Sequence, residues 1–264
     1  MLRMMPEPLP DWPRSNLAEG GFEPLVYYRV YGEPDPGKPL SSSRYRCGGI
    51  PNGIDLSLLD RARHARPLDE ILANPMGDVL RAKFPRLDAL VAASSRCVNL
   101  LGSPSEHATL NYFRDTIGLV TWLLDNGGTF VYDPLQLKCW SREEWMRDVF
   151  EPASPRPLAH CVILVSAEES EPSRRWYHTR GLRKFGRPDV SVHDVPETHR
   201  AAVVDLCERL ILFQADGGVI ADGSPVRMKS LPDGGTMYAR GDFDDPDFNN
   251  VHLDVRFPQW TRER

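Results

Sequence analysis

The sequence lacks most of the features that announce a special environment. No apolar stretch approaches the ~18–20 residues that a membrane helix needs; runs such as Cys161–Val165 span only five. A membrane-spanning protein is therefore not expected. The first twelve residues mix Arg3, Glu7 and Asp11 with Pro6, Pro8 and Pro10, so they have neither the apolar core nor the small-residue cleavage site of a secretory leader. A cytoplasmic location follows as the expectation. The five cysteines, at positions 47, 97, 139, 161 and 207, are odd in number and have no close pair. They suit neither a disulfide framework nor a zinc site and read as small buried apolar residues. Lysine is scarce, 5 of the 32 basic residues, and the formal charge is −5. With no overall positive field, binding to nucleic acid is not expected. No G-x-S-x-G, H-E-x-x-H, Walker loop or G-x-G-x-x-G occurs. Neither a cofactor nor a metal is expected, and an enzyme is disfavoured without being excluded, because triads can be assembled from distant positions.

What remains is ordinary folded protein. A 264-residue chain that is 41% hydrophobic is long enough to bury a core without disulfides or metals. Residues 32–53 carry Pro34, Pro36, Gly37, Pro39, three serines, Gly48, Gly49, Pro51 and Gly53, too long a loop for a tight connection, and they read as a mobile arm or lid. A strand is expected at Leu25–Tyr31, and helical segments interrupted at Pro75 and Pro85 over residues 67–93. Residues 1–95 thus form an N-terminal extension packed on a main domain of residues 96–264.

The main domain opens with a strand at Arg96–Leu101. Ser103-Pro104-Ser105-Glu106 has the form of a capping box with proline at the first helical position and predicts a helix start. Leu110, Phe113, Ile117, Val120 and Leu124 then make one apolar stripe, ended by Asn126-Gly127-Gly128. A strand at Thr129–Tyr132 follows, and Ser141-Arg-Glu-Glu144 predicts a second capped helix. The same grammar returns at a helix bearing Val204, Cys207, Leu210 and Ile211, then Asp216-Gly217-Gly218 and a strand at Val219–Ala221. This reads as a helix, Gly-Gly, strand unit used twice. Cys161–Val165 is apolar on consecutive positions and reads as a central, covered strand, whereas Val251, Leu253, Val255 and Phe257 alternate with polar residues. The fold class is α+β: a two-layer sandwich of a mixed, mainly antiparallel sheet with helices on one face.

The most distinctive stretch runs from Trp176 to Asp189. Six basic residues and no acid lie between residues 173 and 187. If Thr179 caps a short helix ended by Gly186, the amides near Gly181 are left for an anion, with Arg180, Lys184 and Arg187 close by. Tyr177, His178, Thr179, Arg180, Gly181, Lys184 and Arg187 are the candidate ligand-binding residues. The competing explanation is architectural: Gly181 permits close packing, Phe185 anchors the turn, and the arginines pair with Glu168, Glu169, Glu171 or the acidic loop near residue 244. That loop, Asp242 to Asn250, is rich in oxygen ligands, but Pro246 and the missing glycine and glutamate break the EF-hand pattern, so it reads as solvated. His193-Asp194 and His160-Cys161 are neighbours on strands and point to opposite faces, so neither pair is a ready site.

Thr179-Arg180-Gly181-Leu182 followed by Phe185-Gly186-Arg187-Pro188-Asp189, with the upstream helix, Asp133-Pro134, Leu137 and Trp140 to Trp145, resembles a bacterial family of stand-alone proteins of unknown function, over residues 96–257. The resemblance carries no activity. By analogy it favours a binding role, such as to a protein partner of the immunity type, while the basic residues of the 178–187 turn point separately to a small anionic ligand. The alternative is a hydrolase or transferase acting on a phosphorylated or carboxylated substrate, with His178 as acid or base.

Overall fold

The computed structural model describes residues 9–105, 107–168, 171–242 and 251–260. The chain forms two compact units, Met1–Pro13 with Leu25–Arg156 and Arg14–Pro24 with Pro157–Arg264. The fold is α+β, with two sheets that are mainly antiparallel.

In chain order the first unit contains β1 (Val26–Gly32), α1 (Ser42–Tyr45), β2 (Ile54–Asp60), α2 (Arg61–Asp69), α3 (Met76–Lys83), α4 (Leu87–Ala93), β3 (Arg96–Gly102), α5 (Asn111–Asp125), β4 (Gly128–Asp133), β5 (Lys138–Ser141) and α6 (Arg142–Trp145). Its sheet runs β2-β3-β1-β4-β5. Because β3 pairs with both β1 and β2, the boundary expected at residues 95/96 falls inside this unit. Strands β1 and β2, which precede it, are integral to the sheet and not an extension. Side chains alternate along β1: Tyr31 joins Cys97, Phe130 and Cys139 under Leu68, Leu80, Leu87 and Val91 of α2 to α4. Tyr28, on the opposite face, meets Trp145 of α6 edge-on at 5.6 Å. Helices therefore cover both faces. The capping box at Ser141 forms as expected, with Ser141 and Glu144 exchanging side-chain and backbone bonds. The helix expected from Ser103 starts instead at Asn111, whose amide donates to Thr109 Oγ1; Glu106 lies outside the described residues. The segment 32–53 is held to the unit: Tyr45 and Cys47 are buried, Arg44 pairs with Asp125 and the Gly48 amide donates to Asp115.

The second unit contains β6 (Val162–Ala167), β7 (Arg175–Arg180), β8 (Asp189–Val195), α7 (Arg200–Ala215), β9 (Ser224–Pro225), β10 (Thr236–Arg240) and β11 (His252–Arg256). The sheet runs β6-β7-β8-β11-β10-β9, with β8 and β11 its parallel pair. Two expectations are corrected here. The apolar run at 161–165 is an edge strand with Val165 48% exposed, because apolar content alone does not report a neighbour on both sides. Residues 219–221 carry no strand: after Gly217-Gly218 the chain meets residues 16–20 rather than a sheet, with the Asn16 and Ala18 amides donating to the Asp216 and Gly217 carbonyls. Tyr177, Val190, Val192, Leu253 and Val255 are buried on the face that α7 covers.

Candidate functional site: the cationic turn and the outer face of the second sheet

Strand alternation divides the seven candidate residues. On β7, Tyr177 and Thr179 point into the core, while Trp176, His178 and Arg180 are half-buried on the other face. The following short 3-10 turn, Leu182–Phe185, is capped by Gly181 and Gly186, both with positive φ. Thr179 is therefore not its cap. Gly181, at φ 120°, lies so close to His160 that a Cβ would collide with the His160 carbonyl oxygen, which is why the position needs glycine.

The place expected for an external anion is filled from within. Asp189 accepts from the Thr179 hydroxyl at 2.9 Å and from the Leu182 amide at 3.2 Å. Its carboxyl is buried, and burial pushes its pKa up to about 6 against the lowering effects of Thr179, Leu182, Arg180 and Gly181. Arg187, 3% exposed, spends its donors on the carbonyls of Gly217 at 2.6 Å, Gly218 and Gly186 at 2.9 Å, Gly20 at 3.2 Å and Ala18 at 3.4 Å. It ties residues 18–20 and the end of α7 to the turn. Lys184 is fully buried. Thr179, Gly181, Lys184 and Arg187 are thus built into the fold. Of the acidic partners considered for this segment, Glu168 binds His193 and Glu171 lies 3.8 Å from Arg174. Glu169 and residues 243–250 of the acidic loop lie outside the described residues.

The outer face of the sheet holds a cluster that the sequence did not announce. Leu164, His178, Ser191, Asp254 and Tyr238 are successive cross-strand partners over five strands. Both His178 and His193 stack on the Trp176 indole, with centroids 4.2 and 5.0 Å away and interplanar angles of 26° and 11°. Trp176 Nε1 donates to Ser191 Oγ at 2.8 Å. His193 Nδ1 lies 2.9 Å from Glu168 Oε1, and Nε2 lies 3.2 Å from Ser191 Oγ. Glu168 is further fixed by the Asp194 amide at 3.0 Å, and Asp194 has a positive φ of 58°. Farther along, Arg256 binds Asp254 at 2.7 Å, and both Arg256 and Arg240 lie over the Tyr238 ring, 5.8 and 5.2 Å from its centroid.

The chain Glu168–His193–Ser191 has the connectivity of a nucleophilic triad: a carboxylate that orients an imidazole, whose other nitrogen receives the hydroxyl proton. Ser191, however, is 4% exposed, and its oxygen accepts from the indole. As arranged, the hydroxyl fastens Trp176 and His193 to the sheet. His178 is the other titratable ring. Burial first, then the Arg180 and His193 charges, lower its pKa to about 4, and among the described residues its buried Nδ1 has no hydrogen-bond partner. It is neutral near pH 7, so it is not an imidazolium acid there.

The sequence signal for this cluster was the spacing Ser191-x-His193 on a strand, which places both on one face. Adjacent residues on a strand, such as His193 and Asp194, point to opposite faces and so do not form such a cluster. Clefts of about 580, 270 and 680 Å³ occur in the first unit, lined by groups such as Asp60 with Arg61, Asn111 with Asp115, and Pro67 with Glu70; none involves the turn. Among the described residues, no group of His, Cys, Asp or Glu is arranged to hold a metal ion, and no helix is long and apolar enough to cross a membrane. No family model, curated protein or solved structure matches the chain.

Proposed function

We propose that this chain is a binding protein whose ligand is a small anionic molecule with a planar group, held on the outer face of the second sheet by Trp176, His178, Arg180 and His193. The observation that carries the reading is the half-exposed stack of two imidazoles on one indole, beside Arg180. Ring faces bind planar groups with little loss of side-chain freedom, and an adjacent guanidinium suits a carboxylate or phosphate. The site so proposed keeps His178 and Arg180 of the original seven candidates and adds Trp176 and His193. It gives up Tyr177, Thr179, Lys184 and Arg187, which are buried, and Gly181, which caps the 3-10 turn.

A thermal-shift screen of nucleotides, sugar phosphates and aromatic carboxylates tests this. A compound that raises the Tm of wild type but not of Trp176→Ala or Arg180→Ala supports it. Hits that stabilise all three proteins equally contradict it. A stoichiometric protein captured from the native host, with no stabilising small molecule, would favour the protein-partner role that the family resemblance implies.

A second reading, a hydrolase or transferase, draws on the Glu168–His193–Ser191 chain. It requires Trp176 to swing off Ser191 so that the hydroxyl meets substrate. Labelling of Ser191 by a fluorophosphonate would support it.

A further inference from the structure

We propose that β6 is a dimerisation edge, pairing antiparallel with β6 of a second copy of this chain so that the two six-stranded sheets become continuous. The inference stands apart from the ligand reading. It rests on the contrast among the four sheet edges. In the first unit the edge strand β2 carries Asp55 and Asp60 and β5 carries Lys138; in the second, β9 has two residues and ends in Pro225. Charges, proline and shortness are what keep sheet edges from joining. Strand β6, Val-Ile-Leu-Val-Ser-Ala, has six residues with no charge, no proline and no glycine. Val165, Ser166 and Ala167 are exposed, and among the described residues only β7 is paired with it. Its outer row of N–H and C=O groups therefore suits another strand.

The sequence of β6 also fits itself. A two-fold axis normal to the sheet, passing through Leu164, sets Ile163 against Val165, Leu164 against its own copy and Val162 against Ser166. Apolar residues then meet apolar residues at the centre on both faces, and no like charges are opposed. Because Leu164 is the direct partner of His178, the two His178 residues would lie three strand spacings apart, about 14 Å. The two ring clusters would share one continuous face.

Sedimentation equilibrium of the full chain and two kinds of variant test the proposal. Wild type is expected to be a dimer whose Tm rises with protein concentration, and Leu164→Lys, which opposes two ammonium groups at the axis, a folded monomer by circular dichroism whose Tm does not depend on concentration. Val165→Lys, at an already exposed position, gives the same result if Leu164→Lys fails to fold. Leu164→Cys should form a disulfide-linked dimer on mild oxidation, since the closer, non-hydrogen-bonded opposed pairs bring Cβ atoms to about 4.5 Å, at the upper end of the disulfide range, and the five native cysteines are buried. A wild type that is monomeric at every concentration overturns the proposal. So does a dimer that survives Val165→Lys and is not cross-linked through Leu164→Cys.

Discussion

Replacing Arg187 by alanine should destabilise the protein, while replacing Arg180 should not. Arg187 is 3% exposed and donates to carbonyls of Gly217, Gly218, Gly186, Gly20 and Ala18. A hydrogen bond from a charged donor contributes about 1.5–3 kcal/mol, and each buried carbonyl left unpaired costs about 1–3 kcal/mol. These contributions are not additive, and part of the loss is offset by removing a buried charge. The net loss for Arg187→Ala is therefore set at about 3–5 kcal/mol, the range for breaking a buried charged network. At about 2–4 °C per kcal/mol for a chain of this size, the Tm falls by roughly 6–20 °C. Arg187→Lys should recover little, because one ammonium cannot reproduce the planar fork. Arg180→Ala, on the half-exposed face, should change stability by about 1 kcal/mol or less. Calorimetry or circular dichroism melts read both. An Arg187→Ala protein that melts within ~2 °C of wild type would refute the assignment of this residue to the architecture.

Three other outcomes follow from the same geometry. The Asp189 carboxyl holds its proton up to about pH 6 in the fold but loses it near pH 4 when unfolded, so its contribution to stability falls as pH rises between these values and is level above them. Asp189→Asn does not titrate, so its stability relative to wild type should grow over that window by on the order of 2–3 kcal/mol; denaturant melts from pH 4 to 7 check this, and a flat difference contradicts it. His178, with its pKa lowered to about 4, should show an NMR titration midpoint well below that of an ordinary imidazole. Its stabilising effect is lost as pH falls from about 6.5 toward 4, and a midpoint between 6 and 7 would contradict the burial argument. Finally, a fluorophosphonate should leave Ser191 unlabelled, because the hydroxyl is covered; an adduct absent from Ser191→Ala would revive the hydrolytic reading.

Local patterns that depend on one element were legible in the sequence. The apolar stripe from Leu110 to Leu124 marks α5, the Ser141 capping box opens α6, and the alternation from Val251 to Phe257 marks β11 with Leu253 and Val255 inward. Patterns that depend on neighbours were not. An apolar run such as Val162–Val165 says nothing about which edges are paired, and β6 is an outer strand. Glycine pairs after two similar helices led to a strand in one case and to a loop in the other, because residues 16–18 occupy the carbonyls of Asp216 and Gly217. At the turn, the sequence displays six basic groups, but Arg187 donates to five main-chain carbonyls and the amide of Leu182 is taken by the buried Asp189 carboxyl, neither of which any local pattern reveals. The outer-face cluster joins Glu168, Trp176, Ser191 and His193 from three segments and becomes visible only when the register of β7 and β8 is known.

If ligand meets the outer face of the second sheet and not the turn, where Asp189 and the carbonyls bound by Arg187 occupy the donors, binding is expected to perturb the outer-face rings. The most direct measurement is two-dimensional NMR of the full chain with the strongest hit from the anion screen. Shifts are expected at the Trp176 indole N–H and at the His178 and His193 rings, with the Lys184 and Arg187 amides unmoved. Shifts confined to Lys184, Phe185 and Arg187, with the Trp176 indole unmoved, would contradict it.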